Sequence, residues 1–428
     1  MKNSYMNQEE LKQSILDLWT AKYHGPKDYL YLLTDTYFNS DHVVYHIEDN
    51  KIVATIMGIP FDFGYGEKKL KGLFLFGLVT EDKYRRQGIM TRLLQDINLR
   101  AQQHVDFTFL IPISDLNADF YRKRGYFNSF FLLEQRYTSV HDFYYDLQFS
   151  LFDKDERIKD LKEKLYKSIQ VKVFDDHSGM TPDSIISFLE SQEKKARSSV
   201  NLVHTKKDWS IILIKNRMND DAVFVAFDKD NDICGVAFIE KKEMKRLLIS
   251  AIYIEDECTY YALLNHIKRS YPDFSLSVYA TSDNYSSPAI MEKIYGAQNL
   301  DGGETLFGLL ETQFDVSKLL EPHGMVRLLR FENILKYLAY IRKDVEFKLC
   351  IRDWENDDPE KKSVFIIKNG SLKVEQITAT SLKKDKSILY LSQKEVSEIL
   401  FRKKDKSSLI MDAFGIPGLN LEMGLTPT

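Results

Sequence analysis

The spacing of apolar residues along the N-terminal part of the chain switches between helical and strand-like periods. Residues 8–23 place apolar side chains on one face at helical spacing, which predicts an amphipathic helix: Leu11, Ile15, Leu18 and Trp19. Residues 42–48 and 51–59 alternate in the manner of strands on either side of Asp49-Asn50-Lys51, and this pattern predicts a β-hairpin. Breaker residues over 60–66 predict a loop after the hairpin.

The next elements are a series of buried strands and helices. A continuous apolar run at 73–80 predicts a strand buried on both faces, with a bulge or a close backbone approach at Gly77. A helix over 87–103, a strand at 107–111, a short helix over 117–124 ended by Gly125, and a strand over 127–137 follow. Interleaved elements of this kind predict one α/β domain over residues 1–150.

The middle of the chain repeats this order of elements. A linker is predicted near 151–160, and a helix over 181–200 with Thr181 as N-cap and Pro182 as its first residue. The elements predicted after it are a hairpin (222–227 and 233–240), a strand (247–254), a helix (260–270) and a strand (274–280). We interpret residues 151–314 as a diverged internal repeat of the first domain.

From about residue 315 the pattern changes to α+β. Helical spacing over 325–341 predicts a helix, and strands are predicted at 345–353, 363–377 and 387–391. Asn369-Gly370-Ser371 is a strong hairpin-turn signal, and helical spacing returns over 393–402. Residues 315–428 are therefore predicted to form a third domain.

Composition narrows the classes of function. Lys and Arg number 59 against 63 Asp and Glu, for a net charge of −4, so the chain lacks the basic excess of a general nucleic-acid binder. The three cysteines, Cys234, Cys258 and Cys350, form no CxxC pair, which argues against a disulfide framework and a zinc site. The start has no apolar h-region and no run approaches the ~20 residues of a membrane span, so a cytoplasmic protein is expected.

The stretch that carries chemistry joins the strand at 73–80 to the helix that follows it. Its sequence is Tyr84-Arg85-Arg86-Gln87-Gly88-Ile89-Met90. The unpaired N–H groups of a helix N-terminus bind phosphate, Gly88 allows a pyrophosphate to come close, and Arg85 and Arg86 add charge-assisted contacts. On its own this pattern also fits an ordinary loop with a solvated basic pair.

A second motif supplies the context for the first. It is Asn117-Ala118-Asp119-Phe120-Tyr121-Arg122-Lys123-Arg124-Gly125-Tyr126, and together the two motifs and their elements resemble the GNAT acetyltransferase superfamily over residues 1–150. The resemblance implies an N-acetyltransferase that uses acetyl-CoA and no metal, in which Tyr121 protonates the departing thiolate. An ordinary phenol has a pKa of about 10, so Tyr121 would keep its proton at neutral pH. The residues implied to bind acetyl-CoA are Leu78, Val79, Thr80, Arg85, Arg86, Gln87, Gly88, Ile89, Met90, Thr91 and Asn117.

The whole chain is similar to acetyltransferases of the enhanced-intracellular-survival type, on the segments LDLWTAKYHGPKDYLYLLTDTYF and HGMVRLLRFENILKYL. This implies two tandem GNAT-like mixed-sheet domains, an active one over 1–150 and a degenerate one over 151–314. An α+β domain similar to sterol-carrier proteins would follow over 315–428. The resemblance also implies a closed homo-oligomer. It further implies that a C-terminal carboxylate, here that of Thr428, acts as base for the amine, with Glu422 as the side-chain alternative.

The acceptor implied by the resemblance is a primary amine of a polyamine-like, aminoglycoside-like or lysine kind. An amine site should carry acids, and Asp28, Asp35 and Asp115 are candidates that also fit ordinary surface positions. His42 and His46 share a face but lack a third ligand for a metal. The alternative function is a non-catalytic CoA-binding, lipid-binding or scaffold protein that uses the sterol-carrier-like domain.

Overall fold

A computed structural model describes residues 6–23, 27–65, 68–137, 169–195, 201–219, 221–280, 317–341, 343, 346–351, 361–378, 387–393 and 395. Its α-helices are α1 (Gln8–Thr20), α2 (Lys27–Tyr37), α3 (Ile89–Ala101), α4 (Asp115–Arg122), α5 (Pro182–Lys195), α6 (Lys206–Met218), α7 (Glu257–Ser270) and α8 (Phe331–Ile341). The strands of the N-terminal part are β1 (Val43–Glu48), β2 (Lys51–Tyr65), β3 (Lys68–Thr80), β4 (Phe107–Leu110) and β5 (Phe127–Tyr137). Those of the middle part are β6 (Gln170–Val173), β7 (Asn201–Val203), β8 (Ala222–Phe227), β9 (Ile233–Lys242), β10 (Arg246–Ile254) and β11 (Ser275–Ala280). The remaining strands are β12 (Ser317–Leu328), β13 (Phe347–Ile351), β14 (Lys361–Lys368), β15 (Ser371–Thr378) and β16 (Ile388–Leu391).

One mixed sheet runs through the N-terminal and middle parts of the chain. Its order is β1-β2-β3-β4-β12-β5-β11-β10-β9-β8-β6, and β7 pairs with β2. The pairs β3/β4 and β10/β11 are parallel, whereas the other neighbours in the sheet run antiparallel. The predicted mixed α/β architecture is confirmed.

The order of elements repeats, as the sequence predicts. In each half an antiparallel pair is followed by a helix and a parallel strand: β2-β3-α3-β4 in the first and β9-β10-α7-β11 in the second. The two halves join where β5 pairs with β11 antiparallel. The predicted linker near 151–160 lies outside the described residues, and the three domain boundaries stay a prediction.

The segment before α8 corrects the predicted helix over 325–341. Residues 317–328 form β12, which is inserted between β4 and β5 and pairs with both. Met325 and Val326 are fully buried, with Met325 opposite Leu110 on one side and Asn128 on the other. A strand that is buried on both faces reads as a continuous apolar run, and such a run cannot be told from a helix by periodicity. The helix itself begins only at Phe331.

Asp106, just before β4, anchors the segment that carries β12 and α8. Its buried carboxylate accepts a hydrogen bond from the backbone N–H of Lys71 at 2.8 Å and one from Asn333 Nδ2 at 3.2 Å. Its backbone carbonyl accepts from the N–H groups of Leu329 and Arg330 at 2.9 and 3.0 Å. Asp106 therefore connects three segments: β3, the start of β4, and the stretch between β12 and α8.

The predicted loop at 60–66 is also corrected, because β2 continues through Tyr65 and pairs with β3 along this stretch. Pro60 is tolerated because it lies on a length of strand edge. The register with β1 reaches Met57, and the register with β7 begins only at Asp62. A residue without an N–H can occupy such an edge without breaking a ladder bond.

Alternating side chains of β3 build cores on both faces of the sheet. Phe74 and Phe76 join the cluster that contains Trp19 and other residues of α1 and α2. Leu73 and Leu75 join the cluster formed with α3 and α4. The helices therefore cover the sheet from two sides, as expected for a strand buried on both faces. Within the described part of the chain, no helix has the length and apolar character to cross a membrane.

Contacts between α2 and α6 connect the two halves on one face. The Tyr37 hydroxyl donates a hydrogen bond to the Asp208 carboxylate, and the Lys207 ammonium donates to the carbonyl of Thr36. Burial, together with this bond to Asp208, raises the pKa of Tyr37 far above its ordinary value. The face that carries α1 and α2 is thus supported by the middle part of the chain.

The C-terminal part contains a second sheet with the order β15-β14-β13-β16. The predicted hairpin is confirmed: Asn369 and Gly370 connect β14 to β15 with φ of +50° and +73°. Helix α8 packs on this sheet, with the rings of Phe331 and Phe365 5.5 Å apart. The similarity of this part to sterol-carrier proteins stays a prediction.

Candidate active site

The N-terminus of α3 is open to an incoming anion. Its N-cap, Gly88, has a left-handed φ of +76° and offers no capping side chain. The first backbone hydrogen bond of the helix runs from Arg92 N to Gly88 O at 3.1 Å. The N–H groups of residues 89–91 therefore have no acceptor within the helix, and they carry the positive end of its dipole.

The loop in front of this helix presents one cation, Arg86, whose side chain has no polar partner in the described part of the chain. Arg85 folds back: its guanidinium lies 3.0 Å from the Asp82 carboxylate and donates to the carbonyl of Thr80 at 3.2 Å. Gln87 likewise donates to the carbonyl of Lys83. Arg86, with φ of +63°, is exposed and has no polar partner among the described residues. Arg86 is therefore the cation available to a ligand, whereas the sequence alone offers Arg85 and Arg86 as equal candidates.

The space at Gly88 is consistent with a phosphate cradle. A Cβ built there would meet only the Arg92 guanidinium, at 3.5 Å. A side chain would thus fill free space directly in front of the helix N-terminus, and φ of +76° would strain it. Thr80, at the end of β3, has a buried hydroxyl without a partner in the described structure. Both features suit a ligand with phosphate and amide groups.

The end of β3 contains the bulge predicted at Gly77. The register with β2 shifts there, because Thr55 lies opposite Val79 but Met57 lies opposite Phe76. Gly77 has φ of +66° and lies against Trp19, whose Nε1 donates to the Gly77 carbonyl at 3.2 Å. The predicted close approach is also confirmed, since an added Cβ would lie 2.0 Å from Trp19 Cζ2.

Pairing between β3 and its parallel neighbour β4 ends just before this bulge. The register between β3 and β4 ends at the pair Phe74 and Phe109, whereas β3 continues to Thr80. The backbone of Leu78–Thr80 therefore has no strand partner on the β4 side within the described chain. N–H and C=O groups on such an edge are available to a ligand.

Tyr121 lies on α4 and packs in the apolar cluster that β3 forms with α3 and α4. It is 9% exposed, and its ring is 5.3 Å from that of Phe120 and 6.1 Å from that of Tyr126. Its hydroxyl makes no hydrogen bond to any part of the chain that the structure describes. Burial raises the pKa of Tyr121 well above the ordinary value, with smaller effects from Tyr23 and Tyr126. The group is thus a neutral, uncommitted proton donor.

A hydrogen-bonded network holds the ring behind Tyr121. The Tyr126 hydroxyl bonds to Asn98 Oδ1 at 3.1 Å and to Thr108 Oγ1 at 3.0 Å. The Thr108 hydroxyl also donates to Asn98 Oδ1, and Asn98 Nδ2 donates to the carbonyl of Leu94. This buried network connects α3, β4 and the start of β5 beneath Tyr121.

Tyr23 is a buried residue next to β3 that the sequence does not single out. It follows α1, and its ring stacks on Phe76 with centroids 6.1 Å apart. Burial raises the pKa of Tyr23 to about 12, and Tyr23 in turn contributes to the raised pKa of Tyr121. Phe76 belongs to the face covered by α1, whereas Tyr121 belongs to the face covered by α4. The sequence predicts a helix through residue 23, but α1 ends at Thr20. The helical pattern therefore does not predict where the Tyr23 side chain lies.

The structure brings most of the predicted site residues together. Leu78, Ile89 and Met90 pack in the cluster that contains Tyr121. Thr91 is bonded through its hydroxyl to the guanidinium of Arg124, which follows α4. Asn117 lies in the first turn of α4, where its N–H donates to the N-cap hydroxyl of Ser114 at 3.3 Å. Thr428 and Glu422 lie outside the described residues.

The predicted acidic candidates do not converge. Asp35 pairs with Lys12 at 2.6 Å, and Asp28 lies exposed in the first turn of α2. Asp115 is exposed in the first turn of α4. Within the described ranges, no three His, Cys, Asp or Glu side chains are placed as metal ligands.

Residues 5–127 match the family model of the acetyltransferase (GNAT) domain. The chain therefore contains a GNAT acetyltransferase domain, and this part of the predicted resemblance is confirmed. The matched range includes β3, the loop at Gly88, α3 and Tyr121. No curated protein matches the sequence.

Solved structures with the same fold cover nearly the whole chain. A protein of unknown function from Enterococcus faecalis, described as a probable N-acyltransferase, aligns with a TM-score of 0.63 at 13% identity over 92% of this chain and 88% of its own. A GCN5-related N-acetyltransferase from Anabaena variabilis aligns at 0.61 and 13% identity, over 96% and 97%. Eis1 from Mycobacterium abscessus aligns at 0.60 and 9% identity, over 96% and 95%. At these identities the likeness is one of fold.

Proposed function

We propose that the chain is an acetyl-CoA-dependent N-acetyltransferase that acts on a primary amine. The observation that carries this proposal is the uncapped, exposed N-terminus of α3 at Gly88, which lies beside the buried Tyr121 in a GNAT domain. An anion site next to a neutral proton donor suits a reaction in which a CoA thiolate leaves.

The residues at this site fit the cofactor. Acetyl-CoA supplies an activated acetyl group when bound. The free N–H groups of residues 89–91 and the cation of Arg86 would hold its pyrophosphate, and the missing side chain of Gly88 leaves room for it. The open edge of Leu78–Thr80 would hold the amide-containing arm through backbone hydrogen bonds. Asn117 would contribute from the first turn of α4.

The proposed general acid is Tyr121. Because burial raises its pKa, the hydroxyl keeps its proton across the physiological pH range and can give it to the departing sulfur. Its hydroxyl has no competing partner among the described residues, so no hydrogen bond must break first. Direct attack of the neutral amine on the thioester carbonyl would then need only a base to take the amine proton.

The finer assignments remain proposals of the same kind. The likeness in fold to Eis1 over 96% of the chain supports an enhanced-intracellular-survival type of enzyme. For that type we propose the carboxylate of Thr428 as base and an acceptor of the polyamine-like, aminoglycoside-like or lysine kind. The sterol-carrier-like third domain, the homo-oligomer and the cytoplasmic location stay predictions.

Thermal unfolding with and without acetyl-CoA and CoA tests the cofactor site. A ligand that binds only the folded protein stabilises it by about 2.7 kcal/mol at a hundredfold excess over Kd. We expect Gly88→Asp to abolish this shift, because it places a negative charge in the phosphate cradle. The matched control is Gly179→Asp, since Gly179 also has a left-handed φ, of +70°, and an added Cβ would meet nothing within 4 Å.

An amine screen with the wild-type protein then tests the reaction. Release of free CoA thiol that depends on the amine would support the proposal. Failure of every acyl-CoA to stabilise the wild-type protein would overturn it, and so would a shift that Gly88→Asp leaves intact.

A further inference from the structure

A cavity of about 570 Å³ lies between α3, the turn after α4 and β12. Three cationic side chains line it: Lys123, Arg124 and Arg327. Among the described residues, no acidic side chain lines this cavity. Its electrostatic character is therefore that of an anion site, in a chain whose overall charge is −4.

Two of the three cations are held in place by the fold. Arg124 bonds through Nε and one terminal nitrogen to Thr91 Oγ1 at 3.0 and 2.6 Å, and its guanidinium lies 3.4 Å from the centre of the Phe120 ring. Arg327 donates to the carbonyl of Arg124 at 2.6 Å. The Arg327 guanidinium lies directly over Gly125, where an added Cβ would be 3.4 Å away, in van der Waals contact. The positive charge of the wall is thus preorganised.

Lys123 differs from these two residues because its ammonium is uncommitted. It is exposed at the C-cap of α4, and its side chain has no polar partner within the described structure. Its neighbour Arg122 is also exposed but is paired with Asp119 and does not line the cavity. Lys123 is therefore the group free to contact a ligand in this cavity.

The cavity is adjacent to the proposed phosphate cradle. Thr91 lines it and is the third residue of α3, so it lies roughly 3 Å along the axis from the first residue of the helix. Gln95, one turn further, also lines it. In CoA a phosphomonoester sits on the same ribose that carries the pyrophosphate, so a ligand that reaches the cradle can present a second anion nearby.

We propose that this cavity binds a phosphomonoester, namely the 3′-phosphate of the CoA adenosine, with Lys123 as its direct contact and Arg124 and Arg327 as the preformed positive wall. This inference rests on the proposed function, because it needs CoA in the cradle at Gly88. Lys123, Arg124 and Arg327 would then select CoA over 3′-dephospho-CoA. One of these residues, Arg327, comes from β12, far along the chain from the phosphate loop.

Isothermal titration of the full chain with CoA and with 3′-dephospho-CoA tests the assignment. A charge-assisted hydrogen bond to phosphate corresponds to roughly a tenfold preference for CoA in the wild-type protein. We expect Lys123→Gln to reduce this ratio to about two or less, while the affinity for 3′-dephospho-CoA stays unchanged. The control Arg122→Gln removes the same charge one residue away and should keep the wild-type ratio.

Three results would overturn the assignment. The first is equal wild-type affinity for the two ligands, and the second is a ratio that survives Lys123→Gln. The third is binding of inorganic phosphate to the CoA-loaded protein that Lys123→Gln removes, which would assign the cavity to a separate phosphate-bearing molecule. Failure of both CoA and 3′-dephospho-CoA to bind would instead refute the proposed function itself, so the two failures are distinguishable.

Discussion

Tyr121 and Tyr126, whose rings meet edge to face, give opposite predictions when each loses its hydroxyl. Tyr121→Phe removes a hydroxyl that has no partner in the described structure, so it leaves no buried group unsatisfied. We therefore expect its unfolding free energy to change by no more than about 0.5 kcal/mol. Loss of a general acid typically lowers kcat by roughly 10² to 10⁴, which corresponds to about 3 to 5 kcal/mol in the activation barrier.

The matched variant Tyr126→Phe should lower stability and leave turnover nearly unchanged. Its hydroxyl bonds to Asn98 and Thr108 inside the core, at 3.1 and 3.0 Å. Asn98 Oδ1 keeps the donor of Thr108 at 2.7 Å, so the loss is that of an ordinary hydrogen bond, about 1 kcal/mol. We expect a lower urea midpoint and nearly normal turnover per folded molecule.

The assay is a thiol-release measurement of kcat at saturating acetyl-CoA, alongside urea unfolding and the acetyl-CoA-induced thermal shift for both variants. Because burial raises the pKa of Tyr121, the wild-type rate should not fall through ionisation of this group below pH 10. The reasoning would be refuted if Tyr121→Phe kept full turnover, or if it lost turnover together with acetyl-CoA binding and stability. The first outcome removes Tyr121 as acid, and the second makes its role structural.

Three further predictions concern stability. Gly77→Ala should lower the unfolding free energy by about 3 kcal/mol or more, because the new Cβ would lie 2.0 Å from Trp19 and the φ of this residue is left-handed. An unchanged urea unfolding midpoint would contradict this. Asp106→Ala should cost about 3 kcal/mol, since it removes the buried carboxylate that accepts from the Lys71 N–H and from Asn333 Nδ2, and the urea midpoint measures this loss. Failure of Asp106→Asn to recover any of the loss would count against the hydrogen-bond account. The pKa of Tyr23 in the folded protein, about 12, lies above its ordinary value of 10.0. The contribution of Tyr23 to the free energy of unfolding is therefore complete below pH 10 and is lost as pH rises toward 12. Thermal melts from pH 9 to 12 should show a shallower fall for Tyr23→Phe than for the wild type, and parallel curves would exclude this contribution.

Much of the proposed phosphate site could be predicted from the sequence because its determinants are local. The apolar run at 73–80, the glycine at 88 and the amphipathic helix after it all lie within one stretch of chain. Each of these elements forms where the pattern predicts, and the bulge at Gly77 follows from the same short-range signals. Local propensity and the sheet context agree here, so the strand, the bulge and the helix form as predicted.

The parts that sequence reasoning misses depend on contacts between distant segments. Tyr23 stacks on Phe76 of β3 only because α1 ends at Thr20, before it. Arg327 lies in a segment predicted to join the third domain, and nothing near it in sequence indicates that it meets Arg124. The same holds for Pro60, whose tolerance depends on where two neighbouring strands begin and end. Periodicity carries no information on such pairings.

The insertion of β12 between β4 and β5 has a consequence for biosynthesis. β5 ends at Tyr137 and β12 begins at Ser317, so the ribosome must add the whole middle part of the chain before the gap in the sheet can close. Until then the nascent chain presents two unpaired strand edges, a state prone to intermolecular pairing. Closure of so long a loop also makes a late and slow step in folding. The N-terminal part is therefore expected to mature after synthesis of the middle part, and to depend on chaperones that shield the open edges in the interval.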